Sequence, residues 1–246
     1  MQRENMKFFA IAMVTALGFL LATVSVASAQ NTFQCTGTIS DGRTINSNLV
    51  VPANATCTLD NVTVTGNVGV GTGALLNVSP ASGQTVEING NLTADQCNSV
   101  DLAPALSAAV ILIGGNVTIQ NCTGGTVGYA GPGITIGGNF VCADDPQTTC
   151  VADDGVVRGN LSVENNKLQA FNVITFSEVL GNEISGNAEI SGNAVSTGNT
   201  AVLVGGNTIG GNLRCFDNSP PPTDNVFGVT SPNTVGGQKQ GQCAGL

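Results

Sequence analysis

The chain has 246 residues, with 7 Lys and Arg against 16 Asp and Glu, no His and no Trp. Nucleic acid and anionic lipid both need clustered cations, so this composition sets them aside as partners. Its 33 Gly and scarce helix formers describe a protein of strands and turns.

In chain order, residues 1–29 come first. Arg3 and Lys7 make a basic start, "FFAIAMVTALGFLLATVSV" is the apolar stretch, and Ala27-x-Ala29 ends it. This is the pattern of a secretory signal peptide, with Gln30 as the expected mature N-terminus. An uncleaved membrane anchor is the competing reading, and the cleavage pattern argues against it. No cysteine follows directly to carry a lipid. The sequence has no second long apolar run, so no membrane insertion of the mature chain is expected. Removal of the leader leaves 217 residues (246 minus 29), and the loss of Arg3, Lys7 and Glu4 leaves 5 basic and 15 acidic residues, a net charge of −10. Cations and cationic surfaces are easier partners for such a chain. The length suits one domain with a sizeable core, residues 30–246.

That domain is written as a repeat. "VTVTGNVGV" at Val62, "VEINGNLTA" at Val86, "ILIGGNVTI" at Ile111, "ITIGGNFVC" at Ile134 and "NTIGGNLRC" at Asn207 are copies of one unit. Their asparagines are Asn67, Asn91, Asn116, Asn139 and Asn212. Asn160 and Asn187 belong to further copies, Gln238 is a variant and Asn48 opens a weaker copy. Successive spacings are 19, 24, 25, 23, 21, 27, 25 and 26 residues, the period of a solenoid. Three residues before the asparagine stands Val or Ile in every copy, from Ile45 to Val235, and one residue after it an apolar residue from Leu49 to Leu213. This period of two predicts strands. Gly precedes the asparagine in eight of nine copies, where a side chain would obstruct a corner between strands. The asparagines either form an amide ladder or serve as turn residues that tolerate left-handed backbone. The turn role requires less and is favoured. The expected fold is an all-β, right-handed parallel β-helix, with residues 30–61 and 213–246 as its N- and C-terminal cap regions. A left-handed hexapeptide helix is the alternative, suggested by "NEISGNAEISGNAVSTGN" from Asn182, but turns of 19 to 27 residues are too irregular for it.

All eight cysteines follow the leader, an even count that reads as disulfides in an exported chain. Cys97 and Cys122 both lie six residues after their asparagines, which stacks them on neighbouring turns about 4.8 Å apart. Proximity in sequence pairs Cys142 with Cys150, Cys35 with Cys57 and Cys215 with Cys243. Thiolate metal binding competes, but there is no CxxC and no His. The densest polar stretch, "CADDPQTTCVADD", carries Asp144, Asp145, Asp153 and Asp154, oxygen ligands of the kind Ca²⁺ prefers. The plain alternative is an exposed acidic loop, and no other cofactor is implied. "NSPPPTDN" from Asn218 is expected to break strand pairing and loop out before the last turn.

"LVVPANATCTLDNVTVTGNVGV" near the start and "GGNLRCFDNSPPPTDN" through "VGGQKQGQC" at the end resemble a group of small exported bacterial β-helix proteins. Those proteins share such glycine–asparagine turns and a cysteine-bearing C-terminal cap. The resemblance implies fold and export only, with no activity and no catalytic residues to carry over.

Chemistry is sparse. A polysaccharide lyase would need clustered carboxylates and a base, and the only cations after the leader are Arg43, Arg158, Lys167, Arg214 and Lys239. A hydrolase would need paired carboxylates across a groove, with Glu183 and Glu189 the nearest pair in sequence. Threonine arrays that order ice are broken by Glu87, Arg158, Glu183 and Glu189. Asn-x-Ser/Thr matches such as Asn54, Asn61 and Asn77 arise by chance in an asparagine-rich repeat. The expected role is therefore non-catalytic: a secreted, periplasmic or cell-surface binding or structural protein, directed at a glycan or an envelope component. A carbohydrate-active enzyme on the same scaffold is the alternative.

Overall fold

The computed structural model describes residues 32–104, 108–124, 126–147, 149–168, 176–195, 201–226 and 228–246; the expected leader, residues 1–29, lies outside them. The chain winds into an all-β parallel solenoid whose three long sheets have ten, eight and nine strands. One coil places a strand in each sheet in turn. Leu92–Asp95 joins the first sheet, Ser99–Leu102 the second and Val110–Ile113 the third, and the next repeat corner follows. Every pairing within the three sheets is parallel; a small hairpin of Asn225–Val226 with Val229–Thr230 is antiparallel.

The period of two becomes the core. On the third sheet Ile88, Ile113, Ile136, Val157 and Ile184 stack in register and are buried. On the first sheet Leu49, Val68, Leu92, Val117, Phe140 and Leu161 do the same. Each such side chain contributes about 1.5–3 kcal/mol through removal from water.

The repeat asparagines form a ladder. The backbone N–H of each donates to Oδ1 of its counterpart one coil earlier, at 2.8 Å, from Asn67 on Asn48 through to Gln238 on Asn212. None of these asparagines has a positive φ. The favoured turn role is thus corrected: the side chain supplies an acceptor for an N–H that the corner turns away from any sheet partner. The left-handed residues sit at the other two corners: Gln96 (φ 55°), Asn121 (φ 57°) and Asn165 (φ 56°) between the first and second sheets, Asn61 (φ 48°) and Asp154 (φ 54°) between the second and third.

The ladder also explains the glycine. A Cβ on Gly138 would fall within 3.0 Å of Oδ1 of Asn116, closer than real Cβ atoms come, and the same holds along the whole glycine column. Glycine therefore makes room for the amide of the coil beneath.

Four disulfides staple the stack. Cys97–Cys122 joins neighbouring coils with Cα atoms 4.5 Å apart, and Cys142–Cys150 links the first and second sheets within one coil at 6.3 Å. Cys35–Cys57 and Cys215–Cys243 lie near the two ends, at 5.5 and 5.2 Å. The proline segment does not loop out as expected. Ser219 bridges in parallel to Ala194 and Thr223 to Leu203, so the segment lies along the end of the stack. Its prolines lack N–H groups, which limits that coil to bridges on either side of them.

If ladder and glycine are one device, Gly138→Ala will destabilise the oxidised protein by about 2–4 kcal/mol and Asn116→Ala by about 1–2 kcal/mol. Because both changes act on the same Oδ1, the double variant should cost clearly less than the sum. Urea denaturation of the four proteins reads this directly, and simple additivity would refute the shared contact.

Candidate functional site

The outer face of the third sheet carries a groove with a cavity of about 320 Å³. Two outward columns build it. In the first, Thr63, Glu87, Leu112, Thr135 and Val156 follow each other coil by coil. In the second, two residues further along the chain, stand Asn89, Gly114, Gly137 and Arg158, tied to the preceding coils through their backbone N–H groups. The two glycines leave a trough between the Asn89 and Arg158 side chains. The walls are three strand steps apart, about 14 Å at about 4.8 Å per step.

These glycines are not free choices. A Cβ on Gly114 would fall within 3.0 Å of the Asn89 carbonyl oxygen, and one on Gly137 equally close to that of Gly114. The floor is consequently bare backbone, edged by Leu112, which is 37 % exposed. Glu87 and Arg158 line the groove from opposite ends, and neither has an ion-pair partner among the described residues. The groove thus offers one carboxylate, one guanidinium, an amide, a hydroxyl and an apolar patch.

The four aspartates do not share one loop. Strand Thr149–Asp153 separates them into two corners. Asp144, at φ 58°, is a left-handed corner residue on the surface, and Asp154, at φ 54°, is its counterpart at the next corner. Asp153 is half-buried; burial raises its pKa first and the Asp154 charge second. Glu178, one coil on, is raised by burial and then by Asp153. Among the described residues no three His, Cys, Asp or Glu side chains gather as a metal-holding group.

Asp145 is different, being fully buried. It stands six residues after its repeat asparagine, in the column of Cys97, Cys122, Asn166, Asn193 and Asn218. Each Asn N–H there donates to the side-chain oxygen of the following coil: Asn166 to Asn193 and Asn193 to Asn218, both at 3.1 Å, and Asn218 to Gln242 at 2.9 Å. Each amide NH₂ also donates to a main-chain carbonyl of the coil before, as Asn166 does to Cys142 and Asn193 to Val163. Asp145 accepts from the Cys122 N–H at 2.6 Å but has no amide hydrogens to give. Its Oδ2 lies 3.4 Å from Sγ of Cys142, a disulfide sulfur with no proton to offer. Burial pushes the Asp145 carboxyl up to about 7, opposed by the Cys122 N–H and aided by the Asp144 charge. Protonated, Asp145 presents an O–H where the asparagines of the column present an amide N–H.

A third corner holds Asn182, Asn207 and Asn233, again bonded oxygen to N–H, at 3.0 and 3.2 Å. Here the lone tyrosine acts as a plug. Tyr129 is buried over Gly155 and donates to Oδ1 of Asn182 at 2.9 Å, with its ring edge-on to Phe140 at 4.9 Å.

Glu183 is on the third sheet and Glu189 on the first, and Arg158 and Arg214 divide the same way. The two carboxylates do not converge, nor do the two guanidiniums. The buried asparagine columns escaped sequence reading, although the offset of six residues that aligns Cys97 with Cys122 also aligns Asn166, Asn193 and Asn218. Comparison with protein-family models, curated proteins and solved structures returns no match for this chain.

Asp145 makes stability depend on pH. Its folded pKa, about 7, lies above the ordinary 3.8, so the folded state holds a proton that the unfolded chain releases first. That contribution is complete below 3.8 and is lost as pH rises through about 7. Asp145→Asn should therefore be more stable than wild type by about 1–3 kcal/mol at pH 8, with a much smaller gap at pH 4. Urea midpoints at pH 4, 6 and 8 check this; a gap that stays constant with pH would rule it out.

Proposed function

We propose that the protein is a non-catalytic, exported binding solenoid whose third-sheet groove takes a glycan or an envelope component. The groove itself carries this reading: a bare-backbone trough bounded by Glu87 and Asn89 on one side and Arg158 on the other, with exposed Leu112 at its edge. Sugar rings combine an apolar C–H face with a rim of hydroxyls, and the groove pairs an apolar edge with amide, hydroxyl and charged groups. Four disulfides suit an oxidising compartment, which supports export. No helix among the described residues is long and apolar enough to cross a membrane.

Polysaccharide cleavage fits the groove less well. It presents a single carboxylate, where hydrolysis needs two flanking one bond. A lyase would want a base beside a cation held by carboxylates, and Glu87 stands about 14 Å from Arg158 across three strand steps.

The test is retention of the oxidised protein on insoluble polysaccharides and cell-envelope fractions, with Ca²⁺ and with chelator. Saturable retention on one material, weakened about tenfold by Leu112→Asp, is the expected result. Loss with chelator would bring the Asp144–Asp145 and Asp153–Asp154 corners into the binding reaction. Absence of retention on every material, or retention indifferent to Leu112→Asp, would reject the groove as the site. Shortened polysaccharide in the eluate would replace binding by cleavage.

A further inference from the structure

We propose that the groove is built for a glycan repeat carrying one carboxylate, held by Arg158, with an uncharged sugar at the Glu87 and Asn89 end. This rests on the groove being a glycan site and names the chemistry that it selects.

Only five cations follow the leader, and they differ in their surroundings. Arg43 packs over the Phe33 ring at 6.0 Å, and Lys239 Nζ donates to the Leu246 main-chain oxygen. Arg214 is in register directly beside Glu189 on the first sheet. Lys167 is exposed on a short strand paired with Ala194–Val195, outside the three long sheets. Arg158 lines the third-sheet groove, without an ion-pair partner among the described residues. Its backbone is fixed by the N–H bond to the Ile136 carbonyl at 2.9 Å, so the side chain leaves the groove wall from a set height. The planar fork of a guanidinium matches a carboxylate through two parallel hydrogen bonds.

The opposite wall sets the limit of one charge. Glu87 would repel a second carboxylate at its end, but accepts from hydroxyl or N–H groups, and the Asn89 amide can both give and accept. Between the walls the bared backbone of Gly114 and Gly137, with Leu112 beside it, suits the C–H faces of sugar rings. The net charge of −10 left after the leader works in the same direction. It adds to the repulsion of a densely charged polymer.

The probe is a soluble disaccharide of glucuronate and N-acetylglucosamine, set against the same disaccharide with its carboxylate reduced to an alcohol. Affinities are measured for the oxidised wild type, Arg158→Gln and Glu87→Gln, all changes at solvent-facing positions outside the asparagine ladder. Wild type should bind the carboxylate form at least about tenfold tighter than the reduced form. Arg158→Gln should bring both forms to the weaker affinity, and Glu87→Gln should keep the preference. Equal affinity of wild type for the two forms, or a preference that survives Arg158→Gln, would overturn the proposal and leave the glycan reading standing. Binding of neither form, with saturable retention on another polysaccharide or envelope fraction, would overturn it in the same way. Binding of neither form, with no retention on any material, would remove the glycan reading as well.

Discussion

The structure depends on a corner. A parallel solenoid keeps its strands bonded coil to coil, but where the chain turns out of one sheet the peptide N–H leaves its neighbours and must find another acceptor. The repeat asparagine supplies it through Oδ1, and the glycine before the next asparagine leaves the space that this oxygen occupies. Each bond contributes only about 0.5–1.5 kcal/mol. Its larger effect is on register: an unbroken run of links from Asn48 to Gln238 fixes the height of every coil. The links span anything from 19 to 27 residues, so coils of different length share one ladder.

The other two corners solve the same problem inside the protein. There the acceptors are buried asparagines, and donation runs towards the following coil, opposite to the surface ladder. The inner column changes chemistry along its length. A disulfide joins Cys97 to Cys122, amides bond one another from Asn166 to Gln242, and Asp145 stands between. It receives the Cys122 N–H on one side and gives its own N–H to Asn166 on the other, at 3.1 Å. A carboxyl is tolerated at this junction because the neutral form resembles the amide it replaces. At the third corner no side chain is present on Gly155, and Tyr129 of the preceding coil fills the gap.

The core was legible because strand alternation has only one meaning when it recurs at solenoid spacing. Ile88 and Leu92 could be placed facing inward from their offsets to Asn91, and both are buried. The ladder was not legible, because asparagine is equally at home in a left-handed turn and in an amide column, and one letter cannot tell them apart. The separation of the aspartates was not legible either: Asp144 and Asp154 are close in sequence, yet strand Thr149–Asp153 lies between them. The groove left no mark of its own. It consists of side chains absent from Gly114 and Gly137, and in the sequence each of these merges with the corner glycine that follows.

That origin also separates folding from recognition on this face. The trough floor is set by backbone approach, since Gly114 and Gly137 each lie too close to a carbonyl oxygen of the preceding coil to carry a side chain. The walls are under no such constraint. Glu87 and Thr135 project from strands and Asn89 and Arg158 from the residue after one, their backbone N–H groups bonded to the preceding coil, and none of the four takes part in the corner ladder. Changing them alters what the groove meets without altering how the coil closes. A solenoid of this kind can therefore keep one corner chemistry throughout its length and still present a local site, because the ladder demands nothing of the side chains one and three residues before its glycine beyond the space they leave or fill.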